Sequence, residues 1–327
     1  MKKRLVVLTL GLALVLAILL SFLLGRYKVD LPTLFSVLLG RERGTTPAIA
    51  ILNIRLPRIL MAVVVGAALS AAGGAYQAVF QNPMAAPDIL GASAGAGFGA
   101  ALAIYMSFSS SGITAMAFMM SLATVFLVMF ISRHTKGERV LGLVLAGIMV
   151  SSLFQAGTSF IKLVADPTNK LPAITYWLMG SLVGATGKEV RFVIFPIAAG
   201  IIPLLLLSWR LNVLTLGDEE ARSLGVNVNA LRLAVIICAT LITAAAVSVS
   251  GMIGWVGLVI PHMMRRLVGS DYRYLMPASI FGGGLFLLLV DNFSRNISTT
   301  EIPIGILTAF VGAPFFILLI TRRNEFK

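Results

Sequence analysis

The stretch SGMIGWVGLVIPHMMRRLVGSDYRY, residues 250–274, decides the fold class. Gly251, Gly254 and Gly257 punctuate an apolar run that stops at Pro261 and His262 and gives way to Arg265, Arg266 and Arg273. An apolar run ending in arginines reads as membrane-embedded backbone meeting a basic cytoplasmic edge. A second segment, LGDEEARSLGV at 216–226, is an acidic insert between two long apolar runs. Together they describe a membrane protein that offers a folded handle to a partner, which points to a transporter subunit and away from an enzyme.

The rest of the chain agrees. Hydrophobic residues make up 58% of it, charged residues 12%, and the mean hydropathy is +0.96, against a charged share of about 25% in soluble domains. A helix that crosses the bilayer core needs roughly 20 apolar residues. Nine windows supply them: 5–24, 59–80, 89–106, 113–132, 140–164, 190–209, 233–261, 275–293 and 302–320. Each such helix satisfies its own backbone in lipid, so the chain reads as one all-α polytopic membrane domain over residues 1–327.

The window 233–261 is too long for one span, and its glycines divide it into a full helix and a short one. Parity agrees with the division. Lys2, Lys3 and Arg4 open the chain and Arg322, Arg323 and Lys327 close it; basic flanks favour the cytoplasm, and two cytoplasmic termini require an even number of spans, hence about ten. The loops Arg133–Arg139, Arg210–Arg232 and His262–Tyr274 then lie inside, each with three of the 26 Lys and Arg. The first outer loop is itself basic, with Arg26, Lys28, Arg41, Arg43, Arg55 and Arg58, so either the outer face has an acidic partner or the orientation is inverted; the short basic inner loops that recur along the chain favour the partner. Between spans five and six, the segment Ala165–Lys188 is too long for a turn, and Ile174–Met179 predicts a short helix at the outer interface, where Trp177 and Tyr176 sit favourably.

Several chemistries find no support. The net charge of +13 is scattered over membrane edges, without the concentrated basic face that nucleic acid needs; anionic lipid headgroups account for much of it. Gly95, Gly97 and Gly99 follow no strand, and Gly187-Lys188-Glu189 lacks the hydroxyl residue of a phosphate loop, so the chain does not bind ATP itself. His134 and His262 stand apart from any cluster with metal-ligand spacing. No catalytic set, cofactor site or metal site is expected. Acidic residues are nearly absent from the spans, Asp291 near the outer end of the ninth coming closest, whereas ion-coupled carriers place ionisable groups there; energy is expected from another subunit. Cys238, alone of its kind, reads as a small buried hydrophobe. The first span begins like a signal peptide but lacks a small-x-small cleavage site, and reads as a retained helix. Gly66, Ser70, Gly73 and Gly74, then Gly91, Gly95 and Gly99, then Gly282, Gly283 and Gly284, read as small residues for close helix packing.

In the acidic insert, Asp218, Glu219 and Glu220 would sit at the positive start of a short helix that Gly225 could end; taken alone, a solvated loop fits equally well. Five blocks in order, however, are IRLPR (54–58), NPMAAPDILGASAGAGFGA (82–100), LGDEEARSLGV, SGMIGWVGLVIPHMMR and EIPIGILTAFVGAPFF (301–316). Jointly they resemble the permease family of the type II ATP-binding-cassette importers for iron-siderophore complexes, haem and cobalamin.

The resemblance implies a ten-helix subunit in the bacterial cytoplasmic (inner) membrane, both termini cytoplasmic, pairing with a second copy of itself. Two cytoplasmic ATPase subunits would drive it and an extracytoplasmic binding protein would deliver cargo. It makes Leu216, Gly217, Asp218, Glu219, Glu220, Ala221, Arg222, Ser223, Leu224 and Gly225 the cytoplasmic coupling helix between spans six and seven. That segment is similar to the importer signature Glu-Ala-Ala-x-x-x-Gly, with Glu220 departing at the second position. It assigns Asn82 and Met84, where relatives usually carry Asn-Pro-Leu, to a cytoplasmic gate, with Val140 and Leu141 as a second gating element. Trp255 stands where Phe is usual. Arg55, Arg58 and Arg295 would dock the binding protein, although by spacing alone they read as arginines anchoring helix ends. Iron-siderophore is the expected cargo, with haem, cobalamin and oxyanions such as molybdate behind it. The alternative reading is a secondary carrier or channel acting without an ATPase.

Overall fold

The computed structural model describes residues 2–25, 27–41, 44–135, 139–297 and 301–321, and among these the regular elements are all helical. Arg26, Arg43, Lys136, Arg322, Arg323 and Lys327, which enter the charge argument above, lie outside the described residues.

Helix α1 (Lys2–Leu23) is followed by a short α2 (Leu31–Leu38). Next, α3 (Thr46–Ala48), a π-helical stretch Ile49–Arg55 and α4 (Leu56–Val79) run on as one 34-residue rod. The wide turns sit just before Pro57, whose missing N–H breaks the regular ladder. Then come α5 (Ala92–Tyr105), α6 (Ser110–His134), α7 (Arg139–Val164), α8 (Lys170–Leu178) and α9 (Gly187–Leu206). The chain closes with α10 (Ser208–Leu214), α11 (Asp218–Ser223), α12 (Val228–Ser250), α13 (Val256–Val268), α14 (Tyr272–Ile297) and α15 (Ile304–Thr321).

Among the described residues seven helices are long and apolar enough to cross a membrane, α5 and Ile304–Ile317 being shorter apolar pieces. The long window does divide: α12 ends at Ser250 and α13 starts at Val256. The third window is shorter than its hydropathy suggests, because α5 has only 14 residues. That is about 21 Å of helix against a core of about 30 Å; the irregular segment 82–91 makes up the difference. The presumed loop Arg210–Arg232 is largely helical, since α10 and the first turn of α12 extend into it. The Gly187-Lys188-Glu189 segment opens α9 through a capping box, Thr186 with Glu189, the local device that satisfies two orphan N–H groups. The short helix expected at 174–179 is α8.

Glycines let the central helices touch backbone to backbone. A Cβ on Gly66 of α4 would lie 2.2 Å from the Gly283 carbonyl oxygen of α14, and one on Gly73 would lie 1.7 Å from that of Gly257 in α13. Gly95 and Gly99 of α5 likewise admit α6, at the Met120 and Met116 carbonyls. Such contact maximises dispersion where lipid offers no hydrophobic drive. A buried hydrogen bond between the Tyr76 and Thr240 hydroxyls, 2.9 Å, ties α4 to α12.

The bundle has two distinct ends. At one lie Lys3 beside Gly269, Gln81 bonded to Leu214, and Asn212 bonded to Asp271. At the other, Arg55 reaches Phe22 and Arg58 reaches Asp291. Helices α1 and α14 therefore run parallel and α4 antiparallel to both.

Candidate transport cavity and docking surfaces

Two irregular segments interrupt the bundle, 82–91 between α4 and α5 and 251–255 between α12 and α13. Non-helical backbone at membrane depth is tolerated only inside protein or along a water-filled space, and both segments border one cavity of about 770 Å³. Proline and glycine hold the first segment. A Cβ on Gly257 would lie 2.2 Å from Pro87 Cγ, one on Gly147 of α7 would lie 2.3 Å from the Ile89 carbonyl oxygen, and Gly91 takes φ +76° at the start of α5. In the second, the Ser250 carbonyl accepts from Ser181 N–H at 2.8 Å, while Gly305 of α15 closes onto the Met179 and Met252 carbonyls. Trp255 adopts φ +71°, a conformation that costs a bulky residue of order 1–3 kcal/mol. It packs over Gly312, with its ring edge-on to Phe316 at 6.2 Å.

The cavity wall is apolar apart from Asp88 and Ser93 and backbone groups. Sequence reasoning passed over Asp88. The signal was a carboxylate directly after a proline inside an apolar block.

At the end carrying Lys3, α11 projects outward. Its Ala221 is fully buried, whereas Leu216 and Leu224, on either side of the helix, are 61% and 59% exposed; Glu219, Glu220, Arg222 and Ser223 are exposed too. Gly225 takes φ +78°, its N–H bonds the Arg222 carbonyl at 2.9 Å and the Val226 N–H bonds that of Ala221 at 3.0 Å, a Schellman cap. Asp218 is not free. Buried Arg232 of α12 grips it through two bonds, 2.7 and 3.2 Å. Neighbouring Asn212 of α10 donates to Asp271 at 2.8 Å and accepts from Tyr272 N–H. The Asp271 carboxyl is held down to about 2, chiefly by its hydrogen bonds from Arg273.

Gln81, in the left-handed region at φ +48°, donates to the Leu214 carbonyl at 2.9 Å. The Asn82 turn is thereby fastened to the helix that leads into α11. Asn82 accepts from Met84 N–H at 2.9 Å, and both side chains are exposed. Val140 is half-buried and Leu141 exposed at the start of α7, about two turns before Gly147, where α7 meets the segment 82–91.

At the opposite end the three arginines are packed inward. Arg55, 5% exposed, donates to the Phe22 and Tyr27 carbonyls. Arg295, 7% exposed, donates to the Ser21 carbonyl at 3.0 Å and to Asn292. Arg58 forks onto Asp291 at 2.8–3.2 Å and onto Glu301 at 2.8 and 3.0 Å. None of the three stands free at that end of the protomer; local spacing could not show this, because their partners are up to 243 residues away.

The model of the FecCD transport family matches residues 13–322. The chain belongs to the FecCD transport family. The molybdate import system permease protein MolB of Haemophilus influenzae is 39% identical over 320 residues, 97% of this chain and 95% of that one. The hemin transport system permease protein HmuU of Yersinia pestis is 40% identical over 281 residues, 84% of each. A solved chain assigned to the metal-chelate type of ABC transporter, in an inward-facing conformation, superimposes with a TM-score of 0.88 at 38% identity, covering 97% of this chain and 98% of that chain. This FecCD protein is thus the permease of an ABC importer, a multi-pass membrane protein and not itself an enzyme. Permeases of the family work with separate ATPase and binding-protein subunits, usually as dimers.

Proposed function

We propose that this permease imports a metal chelate, an iron(III)-siderophore before haem or cobalamin, by alternating access between two copies of itself. The observation that carries the reading is the 770 Å³ cavity bordered by two broken segments, one of which is fastened through Gln81 to the helices leading into α11. In this reading all of 1–327 is one transmembrane domain of ten spans, with the end that carries Lys3 and α11 in the cytoplasm of a bacterial cell. The segment 216–225 enters the ATPase, and Asn82 and Met84, with Val140 and Leu141, gate the cytoplasmic mouth. The outer arginine cluster meets the binding protein. Three guanidinium groups against the carboxylates of Asp291 and Glu301 leave it one positive charge in excess, which steers an acidic partner without any arginine leaving its pocket.

The test is reconstitution. Vesicles holding the permease with its ATPase and binding protein should accumulate a radioactive ferric hydroxamate only when ATP is supplied, and vesicles holding the permease alone should accumulate none. Uptake by the chain alone would establish the rival reading, a secondary carrier or channel.

A further inference from the structure

We propose that Asp88 sets the charge class of the cargo, tuning the cavity to neutral or cationic chelates and against oxyanions; this rests on the importer reading above. Of the residues that line the cavity, Asp88 alone carries an ionisable side chain, and it is exposed to the cavity. Its place is fixed on both sides. Pro87 is wedged against Gly257, the Asp88 carbonyl accepts from Gly91 N–H at 2.8 Å, and Oδ1 accepts from Ser93 N–H at 2.9 Å. The carboxyl, bonded by Ser93, shares the cavity with a wall of Met179, Met252, Trp255 and Phe310.

The background against which this charge acts is positive. Helices α5 and α13 both begin at the cavity, through Ser93 and through Trp255, and each helix start contributes roughly half a positive charge. Without Asp88 the cavity would present two helix starts and attract anions, as helix N-termini do. With it, the negative charge of the ionised carboxyl opposes both, and the attraction of the apolar chamber for oxyanions falls. The capping bond to Ser93 does not need a charge, because asparagine caps as well as aspartate.

The decisive measurement uses a single cysteine, Ser93→Cys in a Cys238→Ala background, in the full-length permease in lipid vesicles. Methanethiosulfonate reagents of similar size, one carrying trimethylammonium and the other sulfonate, label it, and the ratio of the two rates cancels changes in thiol reactivity. Adding Asp88→Asn should lower the cation-to-anion ratio about tenfold or more, since a unit charge a few ångströms away acts on the two reagents in opposite directions; Asp88→Glu should keep most of it. A ratio that does not move, or a cysteine that neither reagent reaches, would overturn the proposal. Labelling needs neither ATPase nor binding protein, so a failure of ATP-driven uptake would sink the importer reading and leave the ratio standing.

Discussion

Arg58 shows how a side chain that looks like an outward anchor becomes internal. Asp291 is fully buried in α14, and a carboxylate at that depth needs a partner; Arg58 supplies it and bonds Glu301 with its remaining donors. Arg55 and Arg295 meet a different need, bonding carbonyls of Phe22 and Ser21 in the last turn of α1, where no intrahelical donor exists. Replacing all three by Glu would therefore damage the fold before it reported on docking. A cleaner variant is Arg58→Met, which strands Asp291 and should cost about 3–5 kcal/mol, read as a lower unfolding temperature in detergent. Adding Asp291→Asn should recover much of the loss. If Arg58→Met left the unfolding temperature unchanged, Arg58 would be free to serve as a docking side chain.

Among the elements, α11 has too few residues to be stable alone, and its surroundings hold it: Ala221 is buried, Arg232 grips Asp218 and Gly225 closes the end. What remains outside is two exposed leucines and a row of acids. Changing Leu216 and Leu224 to Asp should reduce co-purification of the ATPase at least about tenfold, because interface cores are apolar and rims are polar. Glu219→Lys with Glu220→Lys should weaken it less, and more so at low salt than at high. Full association in both double variants would remove α11 from the ATPase interface. The link between α10 and α14 carries a pH signature. Asp271 titrates below its unfolded value of about 3.9, near 2 in the fold, so the stability it adds is complete above about pH 4 and disappears as the pH falls through 2. For a partly exposed group that amounts to about 1 kcal/mol at most. Asp271→Asn should thus unfold earlier than the parent at pH 7 and converge with it on acidification; a gap that widened in acid would contradict the assignment.

At the scale of the whole molecule, the turn at Asn82 and Met84 is exposed in the protomer and tied through Gln81 to the end of α10, and the proposed function makes it a gate that answers to the ATPase. Asn82→Cys or Met84→Cys, in a background with Cys238→Ala, should crosslink between two copies in one nucleotide state and not in another, seen as a dimer band on a denaturing gel. Absence of the band in every state would move the gate elsewhere. The sequence by itself determined the membrane class, the division of the window 233–261 and the family, and through the family's resemblance the helix in the acidic insert that Gly225 ends. Hydropathy, glycine, caps and ordered motifs act over a few residues and survive in one dimension. It misjudged the third span, since composition cannot separate a helix from an apolar loop held by Pro87 and Gly91. Only the tertiary structure decided that Arg55, Arg58 and Arg295 turn inward, that Arg232 holds Asp218, and that Asp88 faces the cavity shared by both broken segments. Those facts depend on which groups meet in space, from 14 residues apart for Arg232 and Asp218 to 243 for Arg58 and Glu301, and a buried charge takes its direction from its partner and not from its neighbours in the chain.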